Sequence, residues 1–457
     1  MASAIRASFA RLSTATISSR RFAMILGGVN NSETLFNLNY FVLLMSKIKE
    51  VTALEILDSR GNPTIEVTVK TETAAGIAKV PSGASTGKHE AWEFRDGGKR
   101  FKGKGVTKAI RNIHHKIYPR IKGLEASDQT KIDRAMLDLD GTRNKRNLGA
   151  NAILGVSLAC AVASANDRKM PLYQYLNQLL SINRKLALPK AYFNIINGGK
   201  HADNSLSFQE FMIVPQLEKF PDNLRAAAEI YHHLKKILQQ KYGVGATTTG
   251  DEGGFAPAEL KNAEQVLSLL IKAINQAGYK HKVKLALDAA ASELYSKGKY
   301  KVDHKLLDKD QLLNYYLKLI KKFPIISIED PFHQEDFSAF AELTRKTKDK
   351  LQIVADDLTV TNTERLQKAI KYRSGNCLLL KVNQIGTLTE ALQAAESALK
   401  NKWKVMVSHR SGETEDAFIA DLAVALGCSR IKAGAPCRGE RTAKYNRLLK
   451  IGQELSS

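Results

Sequence analysis

The chain has 457 residues, too many for one typical domain. With 44% hydrophobic and 25% charged residues it can form a large core, which excludes disorder as its main state. Its 69 Lys and Arg against 46 Asp and Glu leave a net charge of +23, an excess that suits nucleic acid, anionic membranes or anionic substrates. The lysines are dispersed at helical surface spacing, with no zinc finger, RNP-like run or basic tail, so nucleic-acid binding is not expected.

Residues 1–45 differ from the rest. They hold Arg6, Arg11, Arg20 and Arg21, many Ser and Thr, and a single acid, Glu33. That composition is transit-like, but the arginines do not gather on one face, which favours an upstream stretch read from an early start over a mitochondrial leader. Removing it leaves a charge of +20, so it does not explain the basic balance.

From residue 46 the pattern predicts a strand over Val51–Leu57, a turn at Asp58-Ser-Arg-Gly-Asn-Pro63, and a strand over Thr64–Lys70. A Gly-rich segment follows, Pro81–Gly87, and helical patterns then run to about residue 180. Gly83-Ala-Ser-Thr-Gly-Lys88 imitates a phosphate-binding P-loop. It has three residues between the glycines, not four, and His89 follows the lysine, so the nucleotide reading fails at that loop. Leu148 to Ala165 lacks charge but is rich in Ala, Gly, Ser and Asn, which predicts a buried helix and not a membrane span. Cys160, Cys377, Cys428 and Cys437 form no CxxC pair, so free thiols in a reducing compartment are expected. The pattern relaxes between Ser181 and Pro189. The expected division is therefore an extension over 1–45, a first domain over 46–183 and a second over 184–457.

In the second domain short apolar runs alternate with amphipathic helices, and each run ends in a polar residue. Val283–Leu287 ends at Asp288, Ile325–Ile328 at Glu329, Ile353–Ala355 at Asp356, Leu378–Leu380 at Lys381 and Val405–Ser408 at His409, with Lys432 following. The intervals of 41, 27, 25, 28 and 23 residues fit successive βα units. In a β/α barrel the carboxyl ends of the strands share one mouth, so three carboxylates, a lysine and a histidine would converge there. Three carboxylates on neighbouring strands repel one another unless a cation lies between them, and an oxygen-only set selects a hard ion such as Mg²⁺. A lysine at the same mouth has the chemistry of a base beside a divalent ion, a pattern the enolase superfamily exemplifies.

The motifs carrying a closer resemblance are Asp58-Ser-Arg-Gly-Asn-Pro-Thr, Ser82-Gly-Ala-Ser-Thr-Gly, Gly149-Ala-Asn-Ala-Ile-Leu-Gly-Val-Ser and Asn197-Gly-Gly-Lys-His-Ala-Asp. Gly250-Asp-Glu-Gly-Gly-Phe-Ala-Pro, Ser327-Ile-Glu-Asp-Pro-Phe, Ala355-Asp-Asp-Leu, Lys381-Val-Asn-Gln-Ile-Gly-Thr and Ser408-His-Arg-Ser-Gly-Glu-Thr-Glu-Asp complete them. From about Ser46 onward the chain resembles the enolase family, glycolytic hydro-lyases that interconvert 2-phosphoglycerate and phosphoenolpyruvate through an enediolate. The resemblance implies an α/β architecture, with a small α+β N-terminal domain capping an atypical eight-fold β/α barrel. It implies two Mg²⁺ per active site, the first held by Asp288, Glu329 and Asp356, the second joined by Ser85 from a mobile loop. Lys381 would be the base, and Glu252 the acid, assisted by Glu210, with a pKa raised so that it is neutral. His201 and Gln209 would contact substrate. Arg410 and Ser411 would hold its phosphate, while His409 and Lys432 would touch it elsewhere, Lys432 at the carboxylate. A homodimer or higher homo-oligomer in the cytoplasm is the further expectation. A non-catalytic homologue binding surface or host proteins is the alternative, which loss of a base or metal ligand would favour; none is lost.

Overall fold

The computed structural model describes residues 46–348, 350–427 and 430–456; the extension 1–45 and Cys428 lie outside them. The first three strands, β1 (Glu50–Leu57), β2 (Pro63–Lys70) and β3 (Ala75–Lys79), form an antiparallel meander. β1 and β2 match the expected strands, whereas β3 was not anticipated because its Ala-Gly-Ile-Ala-Lys carries little β signal. The helical reading from residue 88 is corrected at its start. Among the described residues no α-helix precedes Thr107, and residues 88–99 run as extended coil and turns.

The uncharged stretch forms the helix Ala150–Asp167, buried around nearly its whole circumference. It packs on the meander so tightly that a Cβ at Gly76 would lie 2.2 Å from both the Ala159 carbonyl oxygen and the Ala163 nitrogen. Ser157 on its other side accepts from the amide of Leu388 (3.0 Å), and Asp133 accepts from the amide and hydroxyl of Thr389 (2.9 and 2.6 Å). These bonds cap the amino end of the helix Leu388–Lys400 and tie the first domain to the second. Among the described residues no helix is long and apolar enough to cross a membrane.

The second domain is a closed eight-stranded barrel in the ring order β4 (Lys190–Asn197), β5 (Glu210–Pro215), β6 (Val283–Asp288), β10 (Ile325–Glu329), β11 (Gln352–Ala355), β12 (Cys377–Leu380), β13 (Lys404–Ser408) and β14 (Arg430–Lys432). Between β6 and β10 lies a small side sheet of β7 (Tyr295–Ser296), β8 (Lys299–Val302) and β9 (Lys305–Leu307). β5 runs antiparallel to both neighbours, and all other ring pairs are parallel. Strand residues alternate between two cores, as the period of two requires. Tyr192, Met212, Val214, Ala286, Leu379 and Met406 belong to a small cluster of their own, and Phe193, Ile213, Leu285, Leu287 and Leu380 join the large surrounding core.

The Gly76 contact gives a direct test of the packing. Gly76→Ala forces its methyl against backbone atoms that cannot rotate away, and should cost about 1–3 kcal/mol and a few degrees of melting temperature. Gly439→Ala, where a Cβ meets nothing within 4 Å, should leave the melting temperature unchanged or slightly raised. Equal melting temperatures for both variants in differential scanning calorimetry would contradict this packing.

Candidate active site

Every residue expected at the mouth arrives there by one of two routes. Asp288 and Glu329 end β6 and β10 and are paired in register; Asp356 and Lys381 directly follow β11 and β12; His409 directly follows β13, and Lys432 ends β14. Glu210 begins its strand, but because β5 is reversed its first residue lies at the same end and pairs with Asp288. β5 and β12 are four places apart in the eight-strand ring, so Glu210 and Lys381 face one another across the mouth.

Lys432 occupies the centre. Its Nζ lies 2.8 Å from Glu329, 3.1 Å from Glu210 and 3.3 Å from Asp288, with all four side chains almost fully buried. Burial alone would favour the neutral amine, but the three carboxylates outweigh it and hold the Lys432 ammonium well above the ordinary lysine range. Lys381 likewise lies 2.5 Å from Asp356, whose charge outweighs burial and keeps the Lys381 pKa above its usual value. The neutral amine expected of a base is therefore not the form this arrangement favours.

The acid side also departs from expectation. Burial pushes Glu252 up, but His201 at 3.5 Å and His409 at 3.1 Å outweigh it, and its carboxyl sits well below the usual range. Asn194 donates a further hydrogen bond of 3.0 Å. Glu210 is pushed the other way, first by burial and then by the negative charge of Glu252. Burial and crowded charge therefore disfavour ionisation more at Glu210 than at Glu252. His409 is lowered to about 4, chiefly by burial, so it is a neutral imidazole at physiological pH. Its Nδ1 lies 2.6 Å from a guanidinium nitrogen of Arg441, which can only donate. Nδ1 is thus the acceptor, and the ring proton is on Nε2, facing Glu252.

The segment Ser82–Glu90 closes the mouth. Ser82 pairs with Gly412, the Ala84 amide donates to the Ser411 hydroxyl (2.6 Å), and Arg410 donates to the Ser85 carbonyl (3.1 Å). Arg410 also makes a two-pronged contact with the Glu90 carboxylate, at 2.9 and 3.1 Å. Ser85, His201, Gln209, Glu210, Glu252, Asp288, Lys381, His409, Arg410, Ser411 and Lys432 all line one cavity, closed down to about 10 Å³, room for roughly one water. Glu329 and Asp356 join it through the two lysines. Arg441, Glu90 and Asn194 were not anticipated. They belong to no chemical pattern in the sequence and are found only by following contacts from His409, Arg410 and Glu252.

The donor chemistry fits a hard cation. Asp288, Glu329 and Asp356 offer only carboxylate oxygens, and Glu329 is raised by burial and then by Asp288, a mark of crowded negative charge. The buried Oε1 of Gln209, whose amide nitrogen is 3.5 Å from Asp288, has no hydrogen-bond partner and is a spare neutral oxygen donor. Two other groups of three bring their ligand atoms within 4.8 Å of one another, His201–Glu210–Glu252 and Asp330–Asp356–Asp357. Of these, Asp330 is engaged by the amides of Asp356 and Asp357 (2.9 and 2.8 Å) and serves to shape the loop.

Fold and site together define a β/α-barrel enzyme with a closed, cation-lined mouth and ionisable groups on both sides of one small cavity. Comparison with known proteins narrows this. Residues 48–176 match the family model for the enolase N-terminal domain, and residues 185–457 that for the enolase C-terminal TIM barrel domain. The chain is 54% identical over 418 residues to the enolase of Methanopyrus kandleri, covering 90% of this chain and 97% of that protein. It is 55% identical over 414 residues to the enolase of Thermococcus gammatolerans (90% and 95%), and 51% identical over 422 residues to enolase B of Dictyostelium discoideum (89% and 95%). The chain belongs to the enolase family, the carbon–oxygen hydro-lyases called phosphopyruvate hydratases.

The role of Arg441 can be tested directly. Its side chain, fully buried, also donates to the carbonyls of Arg410 and Ser411 (2.6 Å each) and of Asp251 (2.9 Å). Arg441→Met should lower kcat on the order of 10- to 100-fold, the range seen when groups that orient active-site ligands are removed. The assay should be run well below the variant's melting temperature; an unchanged kcat would show that His409 needs no such partner.

Proposed function

We propose that the chain catalyses the reversible dehydration of 2-phosphoglycerate to phosphoenolpyruvate, with Mg²⁺ held by Asp288, Glu329 and Asp356 and a second Mg²⁺ joined by Ser85. The observation that carries this is the placing of Lys381 and the Glu210–Glu252 pair across one cavity, with Arg410 and Ser411 at its rim. When bound, the cations neutralise the charge that develops on the substrate carboxylate as the C2 proton leaves. Lys381 Nζ would take that proton in its neutral form, which a cation held by Asp356 would favour by offsetting the charge that keeps the lysine protonated, and the C2–H electrons become the C2–C3 double bond. Across the mouth, the proton held by the Glu210–Glu252 pair goes to the C3 hydroxyl as its C–O bond breaks, giving water. His409 and Asn194 hold Glu252 in place for this exchange. Lys432 is set to meet the substrate carboxylate, and Arg410 its phosphate by the fork geometry of the guanidinium. Closure of Ser82–Glu90 excludes water from the reacting atoms. A cytoplasmic homo-oligomer is part of the same reading.

Dehydration, followed as phosphoenolpyruvate absorbance, should vanish with excess chelator and return with Mg²⁺; full activity in chelator would refute the reading. Glu329→Gln should weaken Mg²⁺ binding, because a charged hard ligand becomes neutral.

The division of labour has its own test. Lys381→Ala should abolish exchange of the substrate C2 proton with solvent, and Glu252→Gln should retain exchange while blocking dehydration. If both variants lost exchange equally while still binding metal and substrate, the two roles would not be separate.

A further inference from the structure

The barrel has a second face at the amino ends of its strands, away from the mouth. There the segments leading into β11, β12 and β13 border a half-open hollow of about 950 Å³. That size falls within the range of small-molecule sites. Its basic wall comprises Arg345, Lys348, Arg373, Lys402 and Lys404, against one lining acid, Glu342, which is already paired with Arg345 and Lys346. Among the described residues Lys348, Arg373 and Lys402 have no acidic partner. The ring of Tyr372 stands 54% exposed at the edge, and Trp403 is set in the wall.

Three of these cations share a backbone conformation that Lys169 and Lys297 elsewhere in the chain also adopt. Lys348, Arg373 and Lys402 each follow the end of a barrel helix with φ of 46°, 55° and 63°, the left-handed region that glycine or asparagine fills with least strain. Helix-dipole compensation does not require them. The last turns of these three helices already carry Arg345 and Lys346, Lys371, and Lys400. Three successive βα units therefore each place a strained, unpaired cation on the same hollow.

We propose that this hollow binds a nucleoside polyphosphate, its phosphates against Lys348, Arg373 and Lys402 and its base stacked on the Tyr372 ring. Unpaired cations match a compact polyanion, and the exposed aromatic face matches a planar base. The site lies at the opposite end of the barrel from the mouth, so its occupancy does not compete with substrate.

Of the two tryptophans in the chain, Trp92 and Trp403, only Trp403 lines the hollow, so the full chain bearing Trp92→Phe reports on it by emission. Titration with ATP in metal-free buffer should give saturable quenching, and inorganic triphosphate should bind about tenfold more weakly. In the same background Lys348→Gly, Arg373→Gly and Lys402→Gly together should weaken ATP binding about tenfold or more. Because glycine relieves the left-handed strain, the melting temperature should hold or rise, which separates lost binding from lost folding. Absence of saturable quenching, unchanged affinity in the triple variant, or triphosphate binding as tightly as ATP would each overturn the proposal.

Discussion

One buried ammonium organises the mouth of the barrel. Without Lys432, the carboxyls of Glu210, Asp288 and Glu329 would crowd a low-dielectric space with their shared ammonium removed, at a cost of several kcal/mol for each charge left unpaired. The positions of all three follow from strand geometry, because two end parallel strands and the third begins the reversed β5. Reversal of β5 is thus inseparable from the chemistry. A parallel strand in that place would put its first residue at the far end of the barrel.

Charge balance then links the halves of the site. Lys432 is held by the same Glu210 that burial and then Glu252 push up, while Lys381 is held by Asp356, which shares its surroundings with Glu329. Adding or removing one charge anywhere in this chain of contacts shifts its neighbours, the coupled behaviour expected of closely spaced buried groups. His409 is insulated from that chain on one side, because Arg441 fixes its tautomer through a bond no protonation change of the carboxylates can reverse.

Much of this was legible in the sequence, for a physical reason. A polar residue ending an apolar β-run is conspicuous, and barrel topology sends all such residues to one end, so Asp288, Glu329, Asp356, Lys381, His409 and Lys432 were found without coordinates. Residues that act through contacts at long separation were not. Arg441 lies in the last helix and Glu90 beyond a glycine-rich loop, and nothing local distinguishes either from a surface charge. For Glu252 the expectation rested on burial, whereas the two imidazoles beside it pull its carboxyl the other way. β3 was missed because alanine and glycine carry little strand preference, although the glycine is what lets the helix Ala150–Asp167 approach.

The two-pronged contact between Arg410 and Glu90 bears on discrimination. An anion arriving at Arg410 exchanges one charge-assisted pair for another, so a lone inorganic phosphate gains little by displacing the resident carboxylate. Whatever anion meets Arg410 must therefore offer more than a single charge-assisted pair to displace Glu90 from it.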